Sequence, residues 1–560
     1  MVSKVLQFFN KEVGAVNQAA LLLGVFTLIS QLLGLVRDRL LTSEVGVGEQ
    51  LDIYYTAFQV PDFIFNLVAT LISVMVVLPM ILKITEQKGS EAAQKFFNQV
   101  FTGFFGLIIV VCIAGFFLIP HIADKVAPGF SPLQIQELIH VSRIILISPI
   151  FLGLSNIFGS ITQMSKRFML FALSPLLYNL GIIFGIVFFY ESFGIRGLAY
   201  GVVLGSIMHA FIQVPALIKD NMLPCFAKIV DWASIKELIL ISLPRTLGLV
   251  SHNLVLLVLI SIATTLGEGS ASIFRLSMNL QNIPLALVGA SFSVAAFPAL
   301  AKDFTNGKTK EFLATVASAA KQIIFWSIPI TILFIVLRAQ IVRIILGSQQ
   351  FSWNDTRLAA ATLALFVISV TAQSLILLFT RSFYATGDTR RPTLINIISS
   401  VIIVGVSLLL IQTKYFVFIQ AILSDIMGVS GIFGAQVITL AFVYSLGSIF
   451  NALVLMKVFQ RLHVKKQEFG LGKTLGDSLI GSLVMGLAAY VGLHILDGLL
   501  SLSTFSGIFF QGLFAGLFAM VIGIWIFHLL DNQEYISLKN AIQRKFKGVK
   551  TISVTHEDIG

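Results

Sequence analysis

Apolar runs close to twenty residues long recur from one end of the chain to the other, separated by short polar stretches. That is the length a helix needs to cross a hydrocarbon core of about 30 Å. The runs mix Leu, Ile, Phe and Gly without alternating polar and apolar positions. This pattern predicts membrane helices and excludes a barrel of strands. Fourteen spans follow: 17–41, 53–82, 97–119, 139–160, 168–190, 194–217, 236–262, 270–299, 316–337, 357–383, 392–411, 432–456, 474–496 and 505–529. Between the eleventh and twelfth, Tyr415 to Met427 is apolar but too short to cross, and reads as an interfacial segment. From Asp531 to Lys550, Ile536, Leu538, Ile542 and Phe546 lie near Lys539, Arg544, Lys545 and Lys547. That tail suits either an amphipathic helix on the membrane surface or a solvated basic tail.

Composition agrees with this pattern. Hydrophobic residues make up 57% and charged residues 12%, against about 25% charged in soluble domains. Lipid must therefore be the solvent. The net charge of +11 comes from Lys and Arg gathered in alternate loops, such as Lys83, Lys88 and Lys95, or Arg461, Lys465 and Lys466. By the positive-inside rule both termini are expected in the cytoplasm, with the chain crossing its membrane many times. Basic loops facing an anionic leaflet account for the charge without nucleic acid. Cys112 and Cys225 sit in no metal-ligand spacing. The first apolar run is too long for a signal peptide and is followed by many more.

An internal repeat is visible. Gln31-Leu-Leu-Gly-Leu-Val-Arg-Asp-Arg-Leu40 in the first span parallels Arg245-Thr-Leu-Gly-Leu-Val-Ser-His-Asn-Leu254 in the seventh. Span two runs from Pro61 to Pro79, and span eight from Pro284 to Pro298. The expected fold is all-α, with two pseudo-symmetric six-helix lobes and two further C-terminal helices. The expected divisions are 1–220 (spans one to six), 221–470 (spans seven to twelve), 471–530 (two extra helices) and 531–560 (basic tail). Duplicated halves are common in transporters, whose substrate site lies between them near mid-membrane.

An ionisable side chain in a transmembrane helix costs about 2.5–3.5 kcal/mol on insertion scales, so it usually faces a bundle interior or a wet cavity. Arg37-Asp38-Arg39 ends span one, and span two begins near Asp52 and contains Asp62 and Asn66. Span four opens with Arg143. Span seven carries Arg245, His252 and Asn253, and span eight Arg275, Asn279, Gln281 and Asn282. Most of these fall on spans one, two, seven and eight, which points to one central cavity with a cationic lining. Arg275 and Asn279 lie one turn apart and can face the same way. Arg37, Arg245 and Arg275 are candidates to grip an anionic head group, because guanidinium forks suit phosphate and carboxylate oxygens. Structural pairing is the alternative for each, most plainly for Arg37 beside Asp38.

At this point the chain resembles the MurJ (MviN) lipid II flippases, within the larger group of MATE-like exporters and oligosaccharide-lipid flippases. The resemblance rests on Ser30-Gln-Leu-Leu-Gly-Leu-Val-Arg-Asp38, Asp52-Ile-Tyr-Tyr-Thr-Ala-Phe-Gln-Val-Pro61 and Ala127-Pro-Gly-Phe130. It also rests on Ile341-Val-Arg-Ile-Ile-Leu-Gly347 with Phe351, and on Ser382-Phe-Tyr-Ala-Thr-Gly-Asp-Thr-Arg-Arg-Pro392. The resemblance implies alternating access that carries a polyprenyl-pyrophosphate-linked disaccharide-peptide to the outer leaflet. It implies a lipid-tail groove between spans 13 and 14, Arg37 as a cavity arginine and Asp52 as a cavity-mouth aspartate. Where the family commonly has further cavity arginines, this chain has Gln31, Phe65 and Asn279. Arg275 and Arg245 could supply the missing charge, so the expected substrate-binding set is Arg37, Arg245, Arg275, Asn279, Gln31 and Asp52. Asp38 and Asp62 are candidates for ion coupling or gating. Cell-wall synthesis proteins are candidate partners.

Other functions fit the residues less well. A MATE-like drug or metabolite antiporter needs a carboxylate deep in one lobe, and arginines dominate the cavity proposed here. A flippase for another polyprenyl-linked glycan would use the same features. An enzyme acting on polyprenyl phosphates needs paired acids for a metal, or a nucleophile with its base, and the short loops offer no such pair. Gly472-Lys-Thr474 lacks the earlier glycine of a phosphate loop. No cofactor or metal is expected. Coupling to membrane potential or to a monovalent ion is plausible, since one charge moved is worth about 2.3 kcal/mol per 100 mV.

Overall fold

The structure is a computed structural model that describes residues 16–71, 74–228, 231–411, 413–464, 469–500 and 504–546. Among the described residues the regular elements are helices. The longer ones begin with α1 (Val16–Glu44), α2 (Glu49–Ala57), α3 (Gln59–Leu71), α4 (Val74–Val126) and α5 (Pro132–Ile145). Next come α6 (Ser148–Met164), α7 (Phe168–Phe184), α8 (Ile195–Phe211), α9 (Trp232–Ala263) and α10 (Ser270–Pro284). Then follow α11 (Ser291–Thr305), α12 (Thr309–Val336), α13 (Arg338–Leu346), α14 (Trp353–Val367), α15 (Val370–Ala385) and α16 (Arg390–Ile411). The last are α17 (Lys414–Met427), α18 (Val437–His463), α19 (Leu471–Asp497), α20 (Phe505–Leu529) and α21 (Gln533–Phe546).

Among the described residues, eleven helices are long and apolar enough to cross a membrane, or twelve if α14 and α15, bent by 41°, form one broken span. They coincide with the third to fourteenth predicted spans. The first predicted span is α1, and the second is broken into α2, α3 and the start of α4, with residues 72–73 outside the described part. No loop separates the second and third spans. The helix instead kinks at Gly89, whose φ of 85° only glycine adopts without strain. The predicted interfacial segment falls within α17, fourteen residues long, with Val417, Phe418, Ile422 and Ile426 exposed.

Two compact units divide the chain. The larger comprises Met1–Ile283, Val342–Ser369 and Gly387–Val454. Within it α7 and α8 meet through glycines, the close approach that small residues permit between membrane helices. A Cβ on Gly181 would stand 2.2 Å from Gly205 Cα, and one on Gly201 would stand 2.6 Å from Gly185 Cα. Gly129, in the turn between α4 and α5, packs so tightly that an added Cβ would meet the Thr264 carbonyl oxygen at 2.0 Å. Arg167, 2% exposed, donates to both carboxylate oxygens of Asp220, at 2.7 and 3.2 Å, and joins the turn before α7 to the residues after α8.

The smaller unit comprises Pro284–Ile341, Val370–Thr386 and Leu455–Gly560. Its α12, α19 and α20 are also joined through small residues, with Gly486 against Ile332, Gly523 against Met485 and Gly492 against Ala515. Phe312, Phe379, Phe383 and Phe459 form an aromatic cluster nearby. The basic tail starts as a docked helix. Asn532 caps α21 by accepting from the Tyr535 amide at 3.0 Å, and Glu534 accepts from Thr474 on α19 at 3.2 Å. The side chains of Ile542, Arg544, Lys545 and Phe546, and all of Lys547, lie outside the described part.

Candidate functional site

In the larger unit, α1, α2, α3, α7 and α10 enclose a cavity of about 200 Å³. Arg37, Asp62, Arg275 and Asn279 line it together with Tyr54, Tyr55 and Tyr178. Each polar group stands on a helix whose other faces are apolar, so packing of those faces aims the polar groups inward. Arg275 and Asn279, one turn apart on α10, do share a face, as the spacing predicts.

Arg37 is the most firmly held group. Its Nε and Nη2 donate to Asp38 Oδ1 at 2.9 and 2.7 Å, and Nη1 donates to Asn179 Oδ1 at 3.0 Å. The second oxygen of Asp38 accepts from Asn279 Nδ2 at 3.0 Å. Asn179 in turn donates to the Pro175 carbonyl at 3.2 Å. Asp38 is 2% exposed, so this network ties α1, α7 and α10 through one buried carboxylate. Such a network is favourable only when its members are satisfied.

Arg275 and Asp62 are held more loosely. Arg275 Nη2 lies 3.9 Å from Asp62 Oδ2, and the two side chains keep 28% and 45% exposure. A contact at that distance is Coulombic rather than a made hydrogen bond. These two groups can exchange partners at little cost. Two guanidinium groups thus meet two carboxylates, of which Asp62 lines the cavity and Asp38 is buried beside it.

Asp52 stands apart from the cavity. It is 2% exposed and caps the start of α10, accepting from the amides of Gly269 and Ser272 at 2.7 Å each and from the Ser272 hydroxyl at 2.5 Å. A carboxylate there also complements the positive end of the helix dipole. Gln31 lies six residues before Arg37 on α1, half-buried and not among the cavity-lining residues. Arg245 is on α9, and its side chain lies outside the described ones. Phe65 is on α3 and does not line the cavity.

Other polar groups of the spans have separate uses. Arg39 donates to the Ile344 carbonyl at 2.5 Å, Gln281 to Ser369 at 3.2 Å, and Arg143 to the Phe116 carbonyl at 3.1 Å. Arg143, on the fourth span and outside the four leading ones, is not among the cavity-lining residues. Sequence reasoning missed the cavity tyrosines and Asn179. The one available signal was a polar Tyr178-Asn179 pair inside an apolar span.

Comparison with known proteins places the chain in context. A family model described as lipid II flippase MurJ matches residues 41–510. The chain is 24% identical over 417 residues to the lipid II flippase MurJ of Burkholderia cenocepacia, covering 72% of this chain and 78% of that protein. It is 26% identical over 376 residues to a probable lipid II flippase MurJ of Buchnera aphidicola, covering 65% and 72%. A solved structure of lipid II flippase MurJ in an inward closed conformation superposes with a TM-score of 0.71 at 22% identity, covering 92% of this chain and 99% of that one. An inward-facing multidrug resistance MATE family transporter of the MOP superfamily follows at 0.61 and 16% identity, covering 79% and 97%. These structural likenesses show a shared fold.

Proposed function

The chain belongs to the lipid II flippase MurJ family, and from that premise we propose that the cavity bounded by Arg37, Asp62, Arg275 and Asn279 receives the pyrophosphate–sugar head group of lipid II during its passage to the outer leaflet. The observation that carries this reading is the loose Arg275–Asp62 contact at 3.9 Å, facing a cavity that Arg37 also lines. A pyrophosphate is a better partner for Arg275 than a half-exposed carboxylate at that distance, because it offers a bidentate, charge-assisted contact. Arg37 keeps its fork on Asp38 and acts as a fixed positive neighbour. Asp62 gives way when the anion arrives and takes Arg275 back when it leaves.

The cavity of about 200 Å³ is smaller than the roughly 300–1,000 Å³ of pockets that enclose drug-sized ligands. We read this as a closed state, in which the head group needs the lining helices to part before it enters. Alternating access between two lobes, spans one to six and seven to twelve, provides that parting. The Asp52 cap on α10 and the Gly129–Thr264 contact hold the outer side shut. Both termini face the cytoplasm, as the basic loops require. Inward movement of positive charge on the empty return step would couple transport to membrane potential.

Complementation of a strain depleted of its lipid II flippase, read with outer-leaflet lipid II, tests this. Wild-type protein restores both, Arg275→Ala lowers outer-leaflet lipid II by roughly ten-fold or more, and Arg275→Lys retains part. Normal lipid II delivery by Arg275→Ala would overturn the assignment. Restored export of another polyprenyl-linked glycan without lipid II would redirect the substrate.

A further inference from the structure

Arg143 is an arginine within a span that the central cavity does not use. Its guanidinium carbon lies 4.2 Å from the centre of the Phe116 ring, and its Nε donates to the Phe116 carbonyl at 3.1 Å. Beneath it, α4 and the α5–α6 segment form a groove of about 410 Å³ lined by Ile109, Cys112, Ile113, Phe117 and Ile147. Apart from the guanidinium, the lining is apolar. Ile113, Phe116, Phe117 and Ile147 are exposed, so the groove opens away from the packed interior.

The position along α5 is informative. Glu137 and His140 precede Arg143 by two turns and one turn, and Glu137 is paired with Arg196 at 2.9 Å. These exposed polar groups suit the head-group level of a membrane. At 1.5 Å per residue, Arg143 lies about 5 Å deeper than His140. A cation at that depth, with acyl-lined space below it, matches the boundary between phosphate and glycerol. Among the described residues no carboxylate pairs with Arg143. Glu137, the one acid on α5, is held by Arg196.

We propose that this groove binds an anionic phospholipid, with one acyl chain along Ile109, Ile113 and Ile147 and the phosphate on the outer edge of the Arg143 guanidinium. The π contact and carbonyl bond fix the fork in place, and a bound phosphate offsets the insertion cost of the charge. Under the orientation given above, the site lies in the outer leaflet.

The test is lipid retention by the full-length protein, measured by native mass spectrometry after exchange into nanodiscs containing phosphatidylglycerol and phosphatidylethanolamine. Wild type should retain one phosphatidylglycerol with roughly ten-fold preference. Arg143→Ala should lose the preference, Arg143→Lys should keep part of it, and Ile147→Trp should fill the groove and lower retention of both lipids. Because Arg143 is outside the central cavity, Arg143→Ala should deliver lipid II as wild type does, so failure here leaves the flippase reading standing. Equal retention of the two lipids by wild type, or an unchanged preference in both Arg143 variants, would overturn the proposal. Stoichiometric displacement of phosphatidylglycerol by undecaprenyl pyrophosphate would also overturn it, and would assign the groove to the carrier lipid.

Discussion

Asn279 on α10 donates to the carboxylate of Asp38 on α1 at 3.0 Å, the same carboxylate that clamps Arg37. A neutral amide at this position satisfies Asp38 without adding charge to the cavity. The resemblance leads one to expect arginine here, and Asn279 shows how the chain manages without it. Arg275, one turn earlier on the same helix, faces Asp62 instead.

Asn279→Asp should therefore be more harmful than Asn279→Ala. Alanine removes one hydrogen bond to a buried charge, worth about 1.5–3 kcal/mol. Aspartate sets a second carboxylate beside Asp38 and either repels it or must be protonated. Thermal unfolding in detergent should rank wild type above Asn279→Ala and Asn279→Ala above Asn279→Asp. Equal melting temperatures for the two variants would refute the assigned role.

Asp52 should act on the outer closure rather than on head-group affinity. Its carboxylate satisfies two amides at the start of α10, and losing such a cap costs about 0.5–2 kcal/mol. Asp52→Ala should therefore populate outward-open forms. A cysteine placed at Ser270, 1% exposed, should react several-fold faster with a membrane-impermeant maleimide in the Asp52→Ala background. Unchanged labelling would separate Asp52 from the closure.

Much of this site was legible because charge in a membrane span is expensive. Arg37, Asp38, Asp62, Arg275 and Asn279 stood out against apolar neighbours, and the structure brings all five together. Asp52 was legible as a polar residue but not as a cap, since its partners lie 217 and 220 residues away. Tyr54, Tyr55 and Tyr178 were missed because tyrosine fits a packed interior or a membrane interface equally well. The contacts of Arg143 were not legible, because its partners are a backbone carbonyl and a ring, which no sequence pattern marks. The apolar runs located the helices well, yet the kink at Gly89 in place of a loop depends on one left-handed glycine.

The Arg167–Asp220 pair should make stability depend on acid pH. Partial burial pulls the Asp220 carboxyl upward, but hydrogen bonds from Arg167 and Ser165 and the nearby positive charge outweigh it and hold the group below its ordinary value. A carboxyl depressed in the folded state adds stability that is present above the unfolded value of about 3.9. That stability is lost as pH falls through the folded value. The melting-temperature gap between wild type and Asp220→Asn should be constant near neutrality and shrink below about pH 4. A gap that persists undiminished down to pH 2 would show that the pair contributes shape rather than charge.

The glycines give a steric test with an internal control. On α8, Gly201→Ala would place a Cβ 2.6 Å from Gly185 Cα, a backbone atom that cannot swing aside. Overpacking of this kind costs about 1–3 kcal/mol, and here α7 and α8 would have to separate. Gly34, in the repeated Leu-Gly-Leu-Val of α1, has nothing within 4 Å of an added Cβ. Gly34→Ala should therefore gain up to about 1 kcal/mol of helix propensity and fold at least as well as wild type. Yield of monodisperse protein and melting temperature should fall for Gly201→Ala and hold or rise for Gly34→Ala. If Gly34→Ala folds well but delivers less lipid II, then α1 needs its glycine to bend during transport, and the cause is motion rather than packing.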